Sequence, residues 1–178
     1  EALDNVQILI KDYPKEALLH NICGVCYAGL GQRDTAVKRY EKALAMKPDY
    51  AEAHNNLGVT LKDLGQLDAA IESYVVALGI KPDYAEAFNN LGIVLKELGQ
   101  LDTAVKSYEK VLAIKPDFAE AHNNLGISLQ ELGQLDASVK SFEKVLAIKP
   151  DSAEAHNNLG IVLMELHQPD AAVKNFES

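Results

Sequence analysis

The sequence repeats itself with a period of 34 residues. Self-similarity at this period is typical of stacked helical arrays, in which each unit buries its apolar face against its neighbours. We therefore predict one array over residues 1–178, and we expect it to be a fragment of a longer one because it begins and ends inside a repeat. The array comprises the second helix of a truncated repeat at 1–16, full repeats at 17–50, 51–84, 85–118 and 119–152, and a partial repeat at 153–178.

Within one unit, apolar residues recur at helical spacing. Such residues stand at positions 53, 57, 61 and 64 in the first half, and at 70, 71, 74, 77 and 78 in the second. Steps of three and four place them on one face of an α-helix. Each unit is therefore predicted to form two amphipathic helices.

Glycine separates the two halves of a unit, at Gly65 and at the matching Gly31, Gly99 and Gly133. Glycine adopts the left-handed conformation that ends a helix without steric cost, and Asp68 is then placed to cap the next helix. The last unit has His167 in this slot, followed by Gln168 and Pro169, so we expect a different turn geometry there.

Lys-Pro-Asp separates successive units. Proline ends the outgoing helix, because it lacks a backbone donor and restricts the preceding residue. A glutamate follows each aspartate by three residues, which resembles a capping box with aspartate in the Ser/Thr position. The four pairs are Asp49 and Glu52, Asp83 and Glu86, Asp117 and Glu120, and Asp151 and Glu154.

A second glycine lies inside each predicted first helix, as at Gly58, where it costs about 1 kcal/mol relative to alanine. That cost indicates a close approach of the partner helix. Ala70, Ala104 and Ser138 share one slot of the second helix and are predicted to form the opposing small surface.

Charge and hydropathy exclude two classes of ligand. The formal net charge is -9 and the chain has no basic stripe, so we do not expect nucleic acid binding. No segment approaches the roughly 18 apolar residues that a membrane-spanning helix needs, so we expect no membrane insertion and a cytoplasmic protein.

Cysteine and histidine invite a metal hypothesis that the repeats argue against. Cys23 and Cys26 occupy slots that hold ordinary packing residues in later units, and we interpret both as buried hydrophobes. His54, His122 and His156 share a slot with Phe88, which indicates packing, and equivalent slots lie too far apart to share one ion. No catalytic constellation is recognisable, so we predict no metal, no cofactor and no enzymatic activity for this fragment.

The unit resembles the tetratricopeptide repeat (TPR). The resemblance rests on Leu57, Gly58, Leu61, Gly65, Ala70, Tyr74, Ala77 and Pro82, and it extends to every unit. The histidine slot departs from the family, which usually has an aromatic residue there. The array also looks like those of O-linked N-acetylglucosamine transferases and of long bacterial TPR proteins. The similarity implies an all-α, right-handed α-solenoid of antiparallel helix pairs, with the first helix of each pair lining a concave groove.

A ligand surface follows from that resemblance. First helices carry paired asparagines beside a Val/Ile stripe, and an asparagine amide offers both donors and an acceptor to a peptide backbone. The ladder looks like the one that holds peptide backbone in the transferase arrays. The predicted peptide-binding residues are Asn55, Asn56, Val59, Lys62, Asn89, Asn90, Ile93, Lys96, Asn123, Asn124, Ile127, Gln130, Asn157 and Asn158.

The predicted function is a protein-protein interaction scaffold that binds an extended peptide or protein segment. Glutamates at 52, 86, 120 and 154 line one edge of the predicted groove, so a neutral to mildly basic segment suits it better than an acidic one. Two alternatives stay open. The chain would be the substrate-recognition arm of a larger transferase, or it would associate end to end with other copies through its terminal helix faces.

Overall fold

The regular structure of the chain is α-helical throughout the computed structural model, which describes residues 2–177. Glu1 and Ser178, the ends of the first and last predicted repeats, lie outside the described residues. The helices are α1 (Ala2–Asp12), α2 (Ala17–Gly29), α3 (Arg33–Met46), α4 (Ala51–Asp63), α5 (Leu67–Ile80), α6 (Ala85–Glu97), α7 (Leu101–Ile114), α8 (Ala119–Glu131), α9 (Leu135–Ile148), α10 (Ala153–Glu165) and α11 (Pro169–Phe176).

The helices group into two compact units, Glu1–Val94 and Leu95–Ser178. In the first unit α2 packs on α3, α3 on α4 and α4 on α5, and α2 also touches α4. In the second unit α8 packs on α9, α9 on α10 and α10 on α11, and α8 also touches α10. First helices of successive repeats therefore contact each other directly. This arrangement confirms the predicted all-α solenoid of helix pairs.

The turn inside each of the four full repeats is a left-handed glycine, as predicted. Gly65 has φ of 74°, and its amide donates to the carbonyl of Lys62 at 2.8 Å. The next amide, of Gln66, reaches back to Leu61 at 2.9 Å. These two bonds satisfy carbonyls that the end of α4 would otherwise leave without an intrahelical partner.

The last turn has the same geometry without the glycine. His167 has φ of 58°, its amide donates to Met164 at 3.0 Å, and Gln168 donates to Leu163 at 2.8 Å. The expectation of a different turn was therefore wrong. The two hydrogen bonds hold the turn in its left-handed form, and His167 accepts a conformation that a side chain makes unfavourable.

The predicted aspartate caps are wrong, because the helices begin later than expected. The N-cap residue of α4 is Tyr50 and that of α8 is Phe118, and neither makes a side-chain cap hydrogen bond. Asp49 therefore stands one residue outside the cap, where it cannot form the Asp-x-x-Glu box. Asp68 lies in the first turn of α5, two residues after the N-cap residue Gln66, so it does not cap that helix either.

A histidine holds the joint between repeats instead. The Nε2 atom of His54 lies 2.9 Å from the carbonyl oxygen of Pro48, six residues earlier. A carbonyl only accepts, so Nε2 carries the proton and donates. The same bond joins His20 to Pro14, His122 to Pro116 and His156 to Pro150, at 3.1, 2.8 and 3.0 Å. The histidine slot therefore binds the proline turn to the following first helix.

An aromatic ring lies against the glycine of the first helix in four of the helix pairs that the structure describes, at Gly24, Gly58, Gly126 and Gly160. A Cβ atom on Gly58 would stand 2.6 Å from Cε1 of Tyr74, and one on Gly126 would stand 2.8 Å from Cε1 of Phe142. The expected close approach is confirmed, although the sequence did not identify the ring as the opposing group. The predicted small surface is present beside it, because Ser138 Oγ donates to the Gly126 carbonyl at 2.7 Å.

Candidate functional site

Hydrogen bonds between asparagines join the first helices of successive repeats. The second asparagine of one repeat donates its amide to the first asparagine of the repeat before it. The Nδ2 atoms of Asn56, Asn90 and Asn158 lie 3.1, 3.0 and 3.3 Å from the Oδ1 atoms of Asn21, Asn55 and Asn123 respectively.

The two asparagines of a pair differ in exposure. The side chains of Asn55 and Asn89 are buried, with 7% and 4% of their surface exposed. Asn56 and Asn90 are half-buried, so part of each amide faces solvent. Asn157, the first asparagine of the last repeat in the chain, is exposed. Asn123, the first asparagine of the repeat at 119–152, is half-buried. Where the first asparagine is buried, it supports the contact between repeats, whereas the second retains an accessible surface.

The Val/Ile stripe lies beside these amides. Val59 is half-buried and packs against the core cluster that contains Leu61 and Tyr74. Ile127 is half-buried and packs against the cluster that contains Phe142 and Leu163. Ile93 is half-buried as well. Val59 and Ile127 therefore pack against the core with one side and leave the other accessible to solvent.

Other polar side chains of the first helices also combine contacts within the protein with exposure to solvent. Gln130 Nε2 donates to Glu165 Oε1 at 2.6 Å, which links successive first helices of the second unit. Lys62 Nζ lies 3.7 Å from Oδ1 of the adjacent Asp63. Lys96 is half-buried, and so is Asn124 in the middle of α8. The contacts of Gln130 and Lys62 lie at the surface.

Carboxylates line the edge where first helices begin. Glu52, Glu86, Glu120 and Glu154 are all exposed. Lys81 Nζ lies 3.7 Å from Glu52 Oε1. Exposed ion pairs of this kind contribute at most about 1 kcal/mol. Each of these first helices therefore presents an exposed carboxylate in its first turn, and Glu52 has a lysine beside it.

The residue after each Lys-Pro-Asp forms a set that sequence reasoning missed, and we call it the aromatic slot. In the first unit the slot holds Tyr50 and Tyr84, whose ring centroids lie 4.9 and 4.7 Å from the ammonium groups of Lys47 and Lys81. Asn21 Nδ2 donates to the Tyr50 hydroxyl at 3.4 Å. Burial raises the pKa of both tyrosines, and for Tyr84 the nearby carboxylates add to that rise.

In the second unit, one aromatic slot holds a ring and the next one does not. Phe118 lies under Lys115, with 5.9 Å between the ammonium nitrogen and the ring centroid. Ser152 occupies the next slot, and a cavity of about 320 Å³ opens beside it. Alignment of the repeats shows this change directly, since Tyr, Tyr and Phe give way to Ser at the same position.

Three further features of the described residues concern cysteines, metal ligands and membrane spans. Cys23 is a free thiol and is buried, as interpreted, whereas the free thiol Cys26 is only half-buried. Burial raises the pKa of the Cys23 thiol. Among residues 2–177, no three His, Cys, Asp or Glu side chains converge as ligands of one metal ion would. Over the same residues, every helix is too short or too polar to cross a bilayer.

Solved structures of similar fold are repeat proteins. A crystal structure of MamA has 28% sequence identity and a TM-score of 0.82, covering 86% of this chain and 90% of that one. YrrB, described as a TPR protein with an unusual peptide-binding site, has 21% identity and a TM-score of 0.81, covering 99% and 90%. PilF of Pseudomonas aeruginosa has 18% identity and a TM-score of 0.86, covering 96% and 78%.

Sequence comparison gives the family. No curated protein matches the chain significantly. The family model described as TPR repeat matches in four overlapping stretches, at residues 24–65, 60–99, 94–133 and 128–166, and so spans most of the sequence. Together with the helix pairs and the left-handed turns, this match shows that the chain belongs to the tetratricopeptide-repeat family.

Proposed function

We propose that this chain is a non-catalytic scaffold that holds an extended segment of a partner protein on its first helices. The TPR fold supports a role in protein interaction at the general level. YrrB, which has a similar fold, is described as having a peptide-binding site. The transferase-arm alternative would use the same surface for the same kind of segment.

The half-buried asparagines carry the proposal. One N–H of Asn90 is committed to Asn55 at 3.0 Å, which fixes the plane and direction of the amide. An asparagine side chain has a second N–H and an oxygen with two lone pairs. These remaining groups match the C=O and N–H of an extended backbone, and their fixed orientation lowers the entropy lost on binding. Asn56 is held in the same way by Asn21 at 3.1 Å.

The surroundings restrict the ligand further. Val59 and Ile93 place half-buried apolar side chains on the same helices as these amides, and they suit small apolar side chains of a bound segment. The exposed glutamates and the net charge of -9 favour a neutral to mildly basic segment over an acidic one. The proposed contacts are Asn56, Asn90, Asn124 and Asn158, flanked by Val59, Lys62, Ile93, Lys96, Ile127 and Gln130.

Calorimetric titration with short capped peptides tests this function. The base peptide alternates serine and valine, and two variants of equal length carry added lysine or added glutamate. We expect the neutral and lysine peptides to bind more tightly than the glutamate peptide. Tighter binding of the glutamate peptide would overturn the proposed charge preference.

The double substitution Asn56→Ala with Asn90→Ala tests the contact residues. Each lost hydrogen bond is worth about 1 kcal/mol, so we expect affinity to fall at least about tenfold. Glu72→Ala is the matched control, because Glu72 is exposed on the second helix α5. Unchanged affinity in the double variant, with its circular dichroism intact, would refute the assignment of these asparagines.

A further inference from the structure

The cavity beside Ser152 is a ring-sized space in a position that other repeats fill. Its polar lining comprises Glu120, Asn123, Asn124, Lys149, Ser152 and Glu154. One repeat earlier the slot of Ser152 holds Phe118, and two and three repeats earlier it holds Tyr84 and Tyr50. The cavity therefore marks where a ring would lie if this repeat followed the others.

The groups that hold the tyrosine rings are present around this cavity. Tyr50 lies under the Lys47 ammonium and accepts a hydrogen bond from Asn21 at 3.4 Å. Three repeats later, Lys149 occupies the position of Lys47 and Asn123 occupies the position of Asn21. Both line the cavity.

The asparagine has changed its partner in the repeat without a ring. Asn123 Nδ2 donates to Glu154 Oε1 at 2.8 Å, where Asn21 Nδ2 donates to a tyrosine hydroxyl. The amide and the carboxylate together offer a donor and an acceptor at one wall of the cavity. A phenol hydroxyl satisfies both, since it accepts from the amide and donates to the carboxylate.

On these grounds we propose that the cavity beside Ser152 is a subsite for a tyrosine side chain of the bound segment. The ring would lie beneath the Lys149 ammonium, as Tyr84 lies beneath Lys81 at 4.7 Å. A volume of about 320 Å³ is at the small end for ligand pockets, which suits a single side chain. The inference rests on the proposed function, because it assigns one residue of the peptide that the first helices hold.

The first test uses N-acetyl-L-tyrosinamide in a titration followed by ¹⁵N NMR. We expect saturable shifts of the Asn123 side-chain amide and the Ser152 backbone amide. N-acetyl-L-leucinamide and N-acetyl-L-argininamide should shift these signals much less. Equal or larger shifts with the arginine probe, or no saturable shift with the tyrosine probe, would overturn the subsite.

Two substitutions of Ser152 distinguish the effect of filling the cavity from the effect of losing the serine hydroxyl. Ser152→Tyr supplies the missing ring from the chain itself and should abolish the response to the tyrosine probe. Ser152→Ala keeps the space open and should retain the response, although it removes the cap bond to Ala155. Retained binding in Ser152→Tyr would show that the probe binds elsewhere.

The second test replaces single valines of the serine-valine peptide with tyrosine or alanine. We expect one tyrosine position to tighten binding about tenfold over alanine, and Ser152→Tyr to remove that gain. If the peptides bind but tyrosine gives no gain at any position, the subsite is wrong and the proposed function stands. If the tyrosine probe shifts Asn123 and no peptide binds, the subsite is supported and the proposed function fails.

Discussion

Asn90 Nδ2 donates a hydrogen bond to Asn55 Oδ1 across 3.0 Å, and this bond ties two successive first helices together. Asn55 is buried, whereas Asn90 keeps part of its amide accessible. The paired asparagines thus divide two tasks between them. Asn55 supports the contact between repeats, and Asn90 is the asparagine that we propose contacts a ligand.

Asn55→Ala is therefore expected to destabilise the fold. The substitution removes one hydrogen bond and leaves a small void in a buried position, so we expect a loss of about 1 to 2 kcal/mol. Asn157→Ala is the matched control, because Asn157 occupies the same slot but is exposed, and its effect should stay within about 0.5 kcal/mol. Urea unfolding followed by circular dichroism measures both, and equal effects would contradict the supporting role of the first asparagine.

Gly58→Ala is expected to lower the free energy of unfolding by about 1 to 3 kcal/mol. The added Cβ would stand 2.6 Å from Tyr74 Cε1, and the fully buried ring has no free space to move into. Gly79→Ala tests helix propensity without this clash, since a Cβ there meets nothing within 4 Å. Gly79→Ala should raise the free energy of unfolding by about 0.5 kcal/mol. A stabilising Gly58→Ala in thermal unfolding would refute the packing account.

His167→Gly is expected to stabilise the chain by about 0.5 to 1 kcal/mol. Its φ of 58° is unfavourable for a side chain, and glycine removes that cost while adding some freedom to the unfolded chain. Gly133→Ala makes the reverse change in the equivalent turn, where φ is 72°, and should destabilise by about 1 kcal/mol. Both effects are measured as shifts of the urea midpoint, and substitutions without opposite signs would contradict the strain assigned to His167.

Tyr108→Phe is expected to leave stability at pH 7 unchanged or to raise it by up to about 1 kcal/mol. The ring is fully buried, its hydroxyl has no hydrogen-bond partner among the described residues, and Phe142 fills the same slot one repeat later. Tyr13→Phe, at a tyrosine that is 62% exposed, is the matched control.

The same variant has a pH signature. Burial, with smaller contributions from Glu120 and Glu131, raises the pKa of Tyr108 above its usual value of about 10. The folded state therefore favours the neutral phenol, and the stability it gives is complete below pH of about 10 and is lost as pH rises. Tyr108→Phe should reduce this alkaline loss of stability, and an unchanged alkaline profile would contradict it.

The fold could be predicted from the sequence because the same pattern recurs in each repeat. Helical spacing, the glycine of the turn and the 34-residue period agree in every full unit. The capping prediction was wrong because it required the helix to begin one residue earlier than it does. Asp49 and Tyr50 are adjacent, and only the backbone shows which of them is the N-cap residue.

The candidate site was harder to predict, because sequence alone does not separate two neighbouring asparagines. Asn55 and Asn56 are identical in type, and only the structure shows that Asn55 is buried and bonded to Asn90 while Asn56 is half-buried and bonded to Asn21. The histidine-to-proline bond was also missed, although a constant interval of six residues from Pro48 to His54 recurs in the chain. The significance of Ser152 depends on the ring contacts of Tyr50 and Tyr84, which the sequence does not show.

Backbone recognition by the accessible asparagines is tested most directly with a pair of peptides that share every side chain. One is the capped serine-valine peptide, and the other carries N-methyl groups on alternate backbone nitrogens, which removes donors without changing side-chain chemistry. Calorimetry should show binding of the first peptide and at least about tenfold weaker binding of the second. Equal affinity of the two peptides would contradict the account.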